Sequence, residues 1–116
     1  IFVSDILERK SYNDGETVFR EGEQSSSAFV LQSGNVAISR NVNGEDHELA
    51  VIGPGSIFGE MALIDDQPRM ATAKVKGSAT IVTITKSMYS EKLKKSDPFI
   101  RALLRILVET VRDTSK

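Results

Sequence analysis

The 116 residues carry a formal charge of −1, with 40% hydrophobic and 27% charged residues and no cysteine. A single core organises roughly 100 to 200 residues, so one domain spanning 1–116 is expected. The balanced charge provides no broad positive field for nucleic acid or an anionic membrane, and the lack of thiols excludes thiolate metal sites and disulfide scaffolds.

At the amino end, Ile1 to Lys10 include acids rather than a basic region followed by an apolar signal core. Apolar runs stay well short of the roughly 20 residues of a membrane helix, so a cytoplasmic location without membrane contact is expected. Because the first residue is Ile rather than Met, the chain reads as a piece of something longer.

From Lys10 to about Lys86, short apolar stretches alternate with Gly, Asn, Asp or Pro, the punctuation of an all-β domain. Thr17–Arg20, Ala28–Ser33, Asn35–Val42, Glu48–Ile52, Met70–Lys76 and Ala79–Thr85 read as strands, rich in Val, Ile, Phe and Thr. Asn43-Gly44 predicts a type I′ hairpin, whose two central positions both need positive φ. His47 follows it as the one histidine; Glu45, Asp46 and Glu48 alternate faces around it and make no metal-ligand cluster. Further on, Ala71, Ala73 and Val75 alternate with Thr72, Lys74 and Lys76, the pattern of a strand with one face buried. The expected fold is therefore mainly β with flanking helices: an antiparallel, jelly-roll-like β-roll of about eight strands over about 10–86.

After Thr85 the period becomes helical. A helix is expected over Ser87–Lys95, and Ser96-Asp97-Pro98 places cap candidates before a proline suited to a first helical turn, so another should start at about Asp97. Its Ile100, Leu103, Leu104, Leu107 and Val111 share one face, widened by Phe99, Ala102 and Ile106. Core packing is the ordinary use of such a stripe; a ligand lid and a homodimer seam are the alternatives. The charged tail from Arg112 to Lys116 does not choose among them.

The stretch from Phe58 to Ala73 carries the most chemistry. Gly59 lets a backbone approach a ligand closely where a short helix, Glu60-Met61-Ala62-Leu63-Ile64, is expected to begin, and helix starts offer unpaired N–H groups to an anion. Arg69, just after Pro68, can return toward that spot with a planar fork matched to phosphate oxygens. Glu60 would work against an anion site unless it accepts from hydroxyls, so the pair points to a sugar phosphate. An isolated Arg and Glu more commonly form a weak surface salt bridge, which is the plain alternative. Asp65-Asp66 reads as a solvated turn rather than a catalytic pair, and no nucleophile has a visible base partner.

Gly59-Glu60-x-Ala62-Leu63 and Pro68-Arg69-x-Ala71-Thr72 resemble, without a gap, the phosphate-binding cassette of the cyclic-nucleotide-binding domain family. That family includes regulatory subunits of cyclic-AMP-dependent kinase, catabolite activator protein and cyclic-nucleotide-gated channels. Upstream, Tyr12, Gly15-Glu16, Val18-Phe19, Gly22, Phe29-Val30-Leu31 and Gly34-x-Val36 are similar to its spaced glycines and aromatics, so the likeness covers nearly the whole chain.

The resemblance implies a ligand-binding set of Gly59, Glu60, Met61, Ala62, Arg69, Met70 and Ala71. In it Arg69 pairs with the exocyclic phosphate, amides near Ala62 and Met70 complete the shell, and Glu60 accepts from the ribose 2′-hydroxyl. Val51, Ile57 and Val111 are the base or lid contacts it suggests. Where the family uses a Thr or Ser after the arginine to reach a guanine amino group, this chain has Met70, whose thioether cannot make that bond; cyclic AMP is therefore expected over cyclic GMP. The implied function is a non-catalytic sensor needing no cofactor, its last helix passing occupancy to an effector. The competing functions are an interaction or dimerisation domain that keeps the fold without a ligand, and a jelly-roll metalloenzyme, which the lone histidine disfavours.

Overall fold

The computed structural model describes residues 7–65, 67–87, 90 and 98–114. Its strands are β1 (Leu7–Tyr12), β2 (Thr17–Phe19), β3 (Ala28–Val42), β4 (Glu45–Ile52), β5 (Ile57–Phe58) and β6 (Thr72–Ile84). A short 3-10 helix, Glu60–Leu63, lies between β5 and β6, and helix α1 spans Pro98–Thr114. The sheet runs β1-β6-β3-β4, with β2 also on β6 and β5 also on β3, and every pair is antiparallel. The chain thus has the mainly β, antiparallel fold that its turns and alternation predict.

The strand count among the described residues is six rather than about eight. Two pairs of expected strands merge into β3 and β6, because Gly34 and Gly77 bend the chain without ending the ladder. The pairing of β3 with β6 shifts register between Leu31 and Ser33 and again between Ser33 and Asn35. Bulges of this kind turn a strand while preserving its neighbours. β1 and β5 are additional. Charged Glu8, Arg9 and Lys10 hide the alternation of β1, which is a strand because it lies along β6 from Leu7 opposite Ile84 to Tyr12 opposite Ala79. The hairpin forms as expected: Asn43 and Gly44 have φ of 55° and 87°, and Val42 pairs with Glu45.

The core gathers alternate residues of the paired strands, Phe29, Leu31 and Val36 from β3 against Ala73, Val75, Ala79 and Ile81 from β6. Lys74 and Lys76 face outward, as the alternation requires. At one side of this core Phe19, Phe29 and Phe58 cluster with ring centroids 5.5 to 6.1 Å apart. β2, β3 and β5 thereby build an aromatic floor, and the chain leaving β5 passes over it.

Pro98 opens α1, the position that suits a residue without an N–H. Asp97 and most of the helix expected over 87–95 lie outside the described residues. The broad stripe of α1 is not packed as core: Phe99, Ile100, Leu103, Ile106, Leu107 and Val111 are 40% to 67% exposed. The less exposed positions are Leu104, Val108 and Arg112, spaced one turn apart along a different line of the helix. No helix among the described residues is long and apolar enough to cross a membrane.

Candidate functional site

β5 ends at Phe58, and Gly59 turns the chain into the 3-10 helix with φ 72° and ψ 15°. Glycine adopts this left-handed angle freely. A Cβ there would stand 2.7 Å from Arg69 Nη1 and 3.1 Å from the Phe19 ring. The missing side chain is thus what admits an arginine between the turn and the aromatic floor. Gly59 supplies no side-chain cap, so the first N–H groups of the helix keep no intrahelical acceptor. The Ala62 amide, expected in a phosphate shell, instead donates to the Gly59 carbonyl at 3.3 Å, the bond that closes the turn.

Arg69 is 5% exposed. Its Nη1 donates to the Gly59 carbonyl at 2.9 Å, and its Nη2 donates to Ser25 Oγ at 2.8 Å and to the Ser27 carbonyl at 2.7 Å. The guanidinium carbon lies 4.2 Å from the Phe19 centroid and 5.6 Å from that of Phe29, within cation–π range. Its backbone is also tied, since the Arg69 N–H donates to the Glu23 carbonyl and its own carbonyl accepts from Gly22. Loop 20–27 therefore holds this residue at both ends. Nε is buried and has no hydrogen-bond partner among the described residues. Burial pushes the guanidinium below its ordinary pKa, Glu23 and Glu60 oppose that, and Arg112 adds to it. An arginine stays charged under these conditions, so the protein maintains a desolvated cation with the Nε hydrogen and one Nη1 hydrogen to spare.

The plain alternative of a surface salt bridge does not describe this pair. Arg69 is buried, Glu60 is exposed at the start of the 3-10 helix, and the guanidinium is held by uncharged acceptors. Both nevertheless line one cavity of about 210 Å³, together with Gly59, Met61, Ala62, Met70 and Ala71. The structure thus gathers all seven residues of the ligand set around one hollow. Of the base or lid contacts, Ile57 lines it, while Val51 and Val111 do not. Val51 lies on β4, which pairs with β3 alone, and is 46% exposed. Val111 is 49% exposed because Arg112, the next residue and about 100° further around the helix, takes the inward position.

Several residues of the site escape a reading of the sequence. Phe19, Ile38, Phe58 and Arg112 also line the cavity. Ser25 and Ser27 lie more than forty positions before the arginine they hold, and no local spacing links them. Asp65 corrects the expectation of a solvated turn: it is 8% exposed, because Arg112 folds over it with Nε 2.6 Å from Oδ2. Asp66 lies outside the described residues. Among the described residues no three His, Cys, Asp or Glu side chains gather to hold a metal.

Fold and site together define an antiparallel sheet domain built around a buried arginine under a glycine-opened turn. The model of the family described as cyclic nucleotide-binding domain matches residues 9–96, and the chain belongs to that family. It is 32% identical over 92 residues to a cAMP-dependent protein kinase regulatory subunit of Blastocladiella emersonii, covering 78% of this chain and 23% of that protein. A cyclic AMP receptor protein of Thermus thermophilus is 26% identical over 108 residues, covering 92% of this chain and 50% of the relative. Among solved structures, the cAMP-bound form of the EAL enzyme Bd1971 superposes with a TM-score of 0.87 at 29% identity, covering 93% of this chain and 29% of that one. The cGMP-bound form of that enzyme gives 0.84 at the same identity and coverage. The chain spans between about a quarter and a half of the length of these relatives.

Proposed function

We propose that the 116 residues form one non-catalytic, cytoplasmic sensing unit that binds a cyclic nucleotide, cyclic AMP in preference to cyclic GMP, and signals occupancy through α1. The observation that carries this reading is the buried Arg69, which lines a cavity together with Gly59 to Ala62 and whose Nε has no hydrogen-bond partner among the described residues. A buried donor left unmade costs roughly 1–3 kcal/mol, which a phosphodiester oxygen would recover. At about 210 Å³ the cavity is smaller than the roughly 300–1,000 Å³ that encloses a drug-sized ligand. The ribose phosphate therefore sits inside, with Glu60 accepting from the sugar, and the base stays at the mouth against Ile38 and Ile57. Relatives named for cyclic AMP support the nucleotide class. Since Bd1971 is described with cyclic AMP and with cyclic GMP, the preference here rests on Met70, which lines the cavity without a hydroxyl to offer guanine.

Calorimetric titration of the chain with each nucleotide tests the reading. Arg69→Lys keeps the charge and loses the fork; it is expected to weaken cyclic AMP at least about 30-fold, equivalent to roughly 2 kcal/mol. Equal affinity in the variant would reject the phosphate role. The exposed stripe of α1 favours a second reading, a homodimer seam, which is compatible with the first. Absence of heat from both nucleotides would leave the interaction domain as the function.

A further inference from the structure

A second cavity, of about 330 Å³, shares Arg69, Met70 and Arg112 with the first and otherwise has walls of its own. Arg40 belongs to it from β3 and Arg112 from α1, while Glu21 and Gln67 come from the segments that follow β2 and precede β6. Folding thus brings three arginines from remote parts of the chain to one hollow.

The charge there is opposite to that of the chain as a whole, which is −1. Arg40, Arg69 and Arg112 are set against the carboxylate of Glu21 and, through its pairing with Arg112, that of Asp65. Glu21 is itself engaged, since its Oε1 accepts from the Asn41 N–H at 2.8 Å. Arg112 directs Nε and Nη2 to the Asp65 carboxylate and Nη1 to the Pro68 carbonyl, so among the described residues one hydrogen on each Nη has no acceptor. Burial lowers the Arg69 pKa against the pull of Glu23, and the charge of Arg112 lowers it further, a like-charge repulsion that an anion beside both would relieve. A planar carboxylate is saturated by one guanidinium fork, whereas phosphate presents acceptors in tetrahedral directions and suits several forks at once. No aromatic ring lines this cavity among the described residues, so nothing there stacks a base.

We infer that this cavity is a second anion site, separate from the nucleotide site, for a small multiply charged phosphate, with Arg40 and Arg112 as its cationic walls. The inference does not rest on the cyclic nucleotide reading, because Arg40, Glu21 and Gln67 line this cavity and not the first.

The test titrates inorganic pyrophosphate into the chain by calorimetry and follows backbone amide shifts, first without cyclic AMP and then with cyclic AMP saturating. Binding is expected in both conditions, weaker in the second because the two anions repel across Arg69, with the largest shifts at Gly22, Arg40 and Gln67. R40Q is expected to weaken pyrophosphate about 5-fold or more, since it removes one charge-assisted contact. Gln67→Glu adds a carboxylate at an exposed position, so it keeps the test open where R40Q fails to fold, and is expected to weaken pyrophosphate by a similar factor. Both variants should keep the parental affinity for cyclic AMP, because neither residue lines the first cavity. Glycerol 2-phosphate separates the sources of such a group: binding of both probes assigns the site to phosphate esters, and binding of pyrophosphate alone assigns it to inorganic diphosphate. A parent chain that binds no pyrophosphate, complete displacement of pyrophosphate by cyclic AMP, or parental pyrophosphate affinity in a folded R40Q or in Gln67→Glu each overturns the second site. A chain that ignores cyclic AMP but binds pyrophosphate through Arg40 overturns the nucleotide reading and leaves this site standing.

Discussion

Gly59 is where backbone, aromatic floor and cation meet within a single residue. Its φ is 72°, and the space a methyl group would take is already occupied by Arg69 Nη1 and the edge of Phe19. Gly59→Ala is therefore expected to strain the turn by roughly 1–3 kcal/mol and to push the guanidinium off its ring. The affinity for cyclic AMP should fall about tenfold or more, the equivalent of about 1.4 kcal/mol. A titration beside a thermal melt separates the two effects; destabilisation with undiminished affinity would show that the cradle does not position the arginine. Gly59 and Arg69 are legible in the sequence because only ten positions separate a permissive turn from a forked cation. Ser25 and Ser27, which aim that cation, are not legible, since a run of serines reads as a polar turn until folding carries it to Arg69.

At the scale of elements, the long strands β3 and β6 owe their continuity to how they bend. A Cβ at Gly34, where φ is +89°, would lie 2.2 Å from the Ser78 carbonyl oxygen and 2.7 Å from Ala79 Cα. Gly77, at φ +78°, has open space around it. Gly34→Ala should thus combine backbone strain with a clash of two main chains and destabilise by roughly 2–5 kcal/mol, whereas Gly77→Ala should cost about 1 kcal/mol from conformation alone. Urea unfolding midpoints measure both, and similar losses would mean that the close approach at Gly34 is not what holds the bend. The sequence reads these glycines as strand ends. Only the pairing across the bend shows them as kinks within strands, because hydrogen bonds to a distant neighbour keep a ladder running past a break in local propensity.

Across the whole molecule, α1 stands out for what it leaves uncovered. Ile100, Leu103 and Leu107 form a line at i, i+3 and i+7 and are 40% to 51% exposed. If this line is a homodimer seam, Leu103→Glu with Leu107→Glu should convert dimer to monomer in sedimentation velocity and leave cyclic AMP binding in place, because neither residue lines the cavity. A parent chain that sediments as a monomer at high concentration would remove the seam. Local patterning alone determined the mainly β class, the Asn43-Gly44 hairpin, the helical period of the last helix and the pairing of a permissive turn at Gly59 with a forked cation at Arg69, since each depends on neighbours within a few bonds or turns. Tertiary structure alone decided which line of α1 faces inward, that Asp65 is buried under Arg112, and which serines hold Arg69. Those outcomes depend on segments about forty or more residues apart meeting in space, and side-chain periodicity carries no record of such meetings.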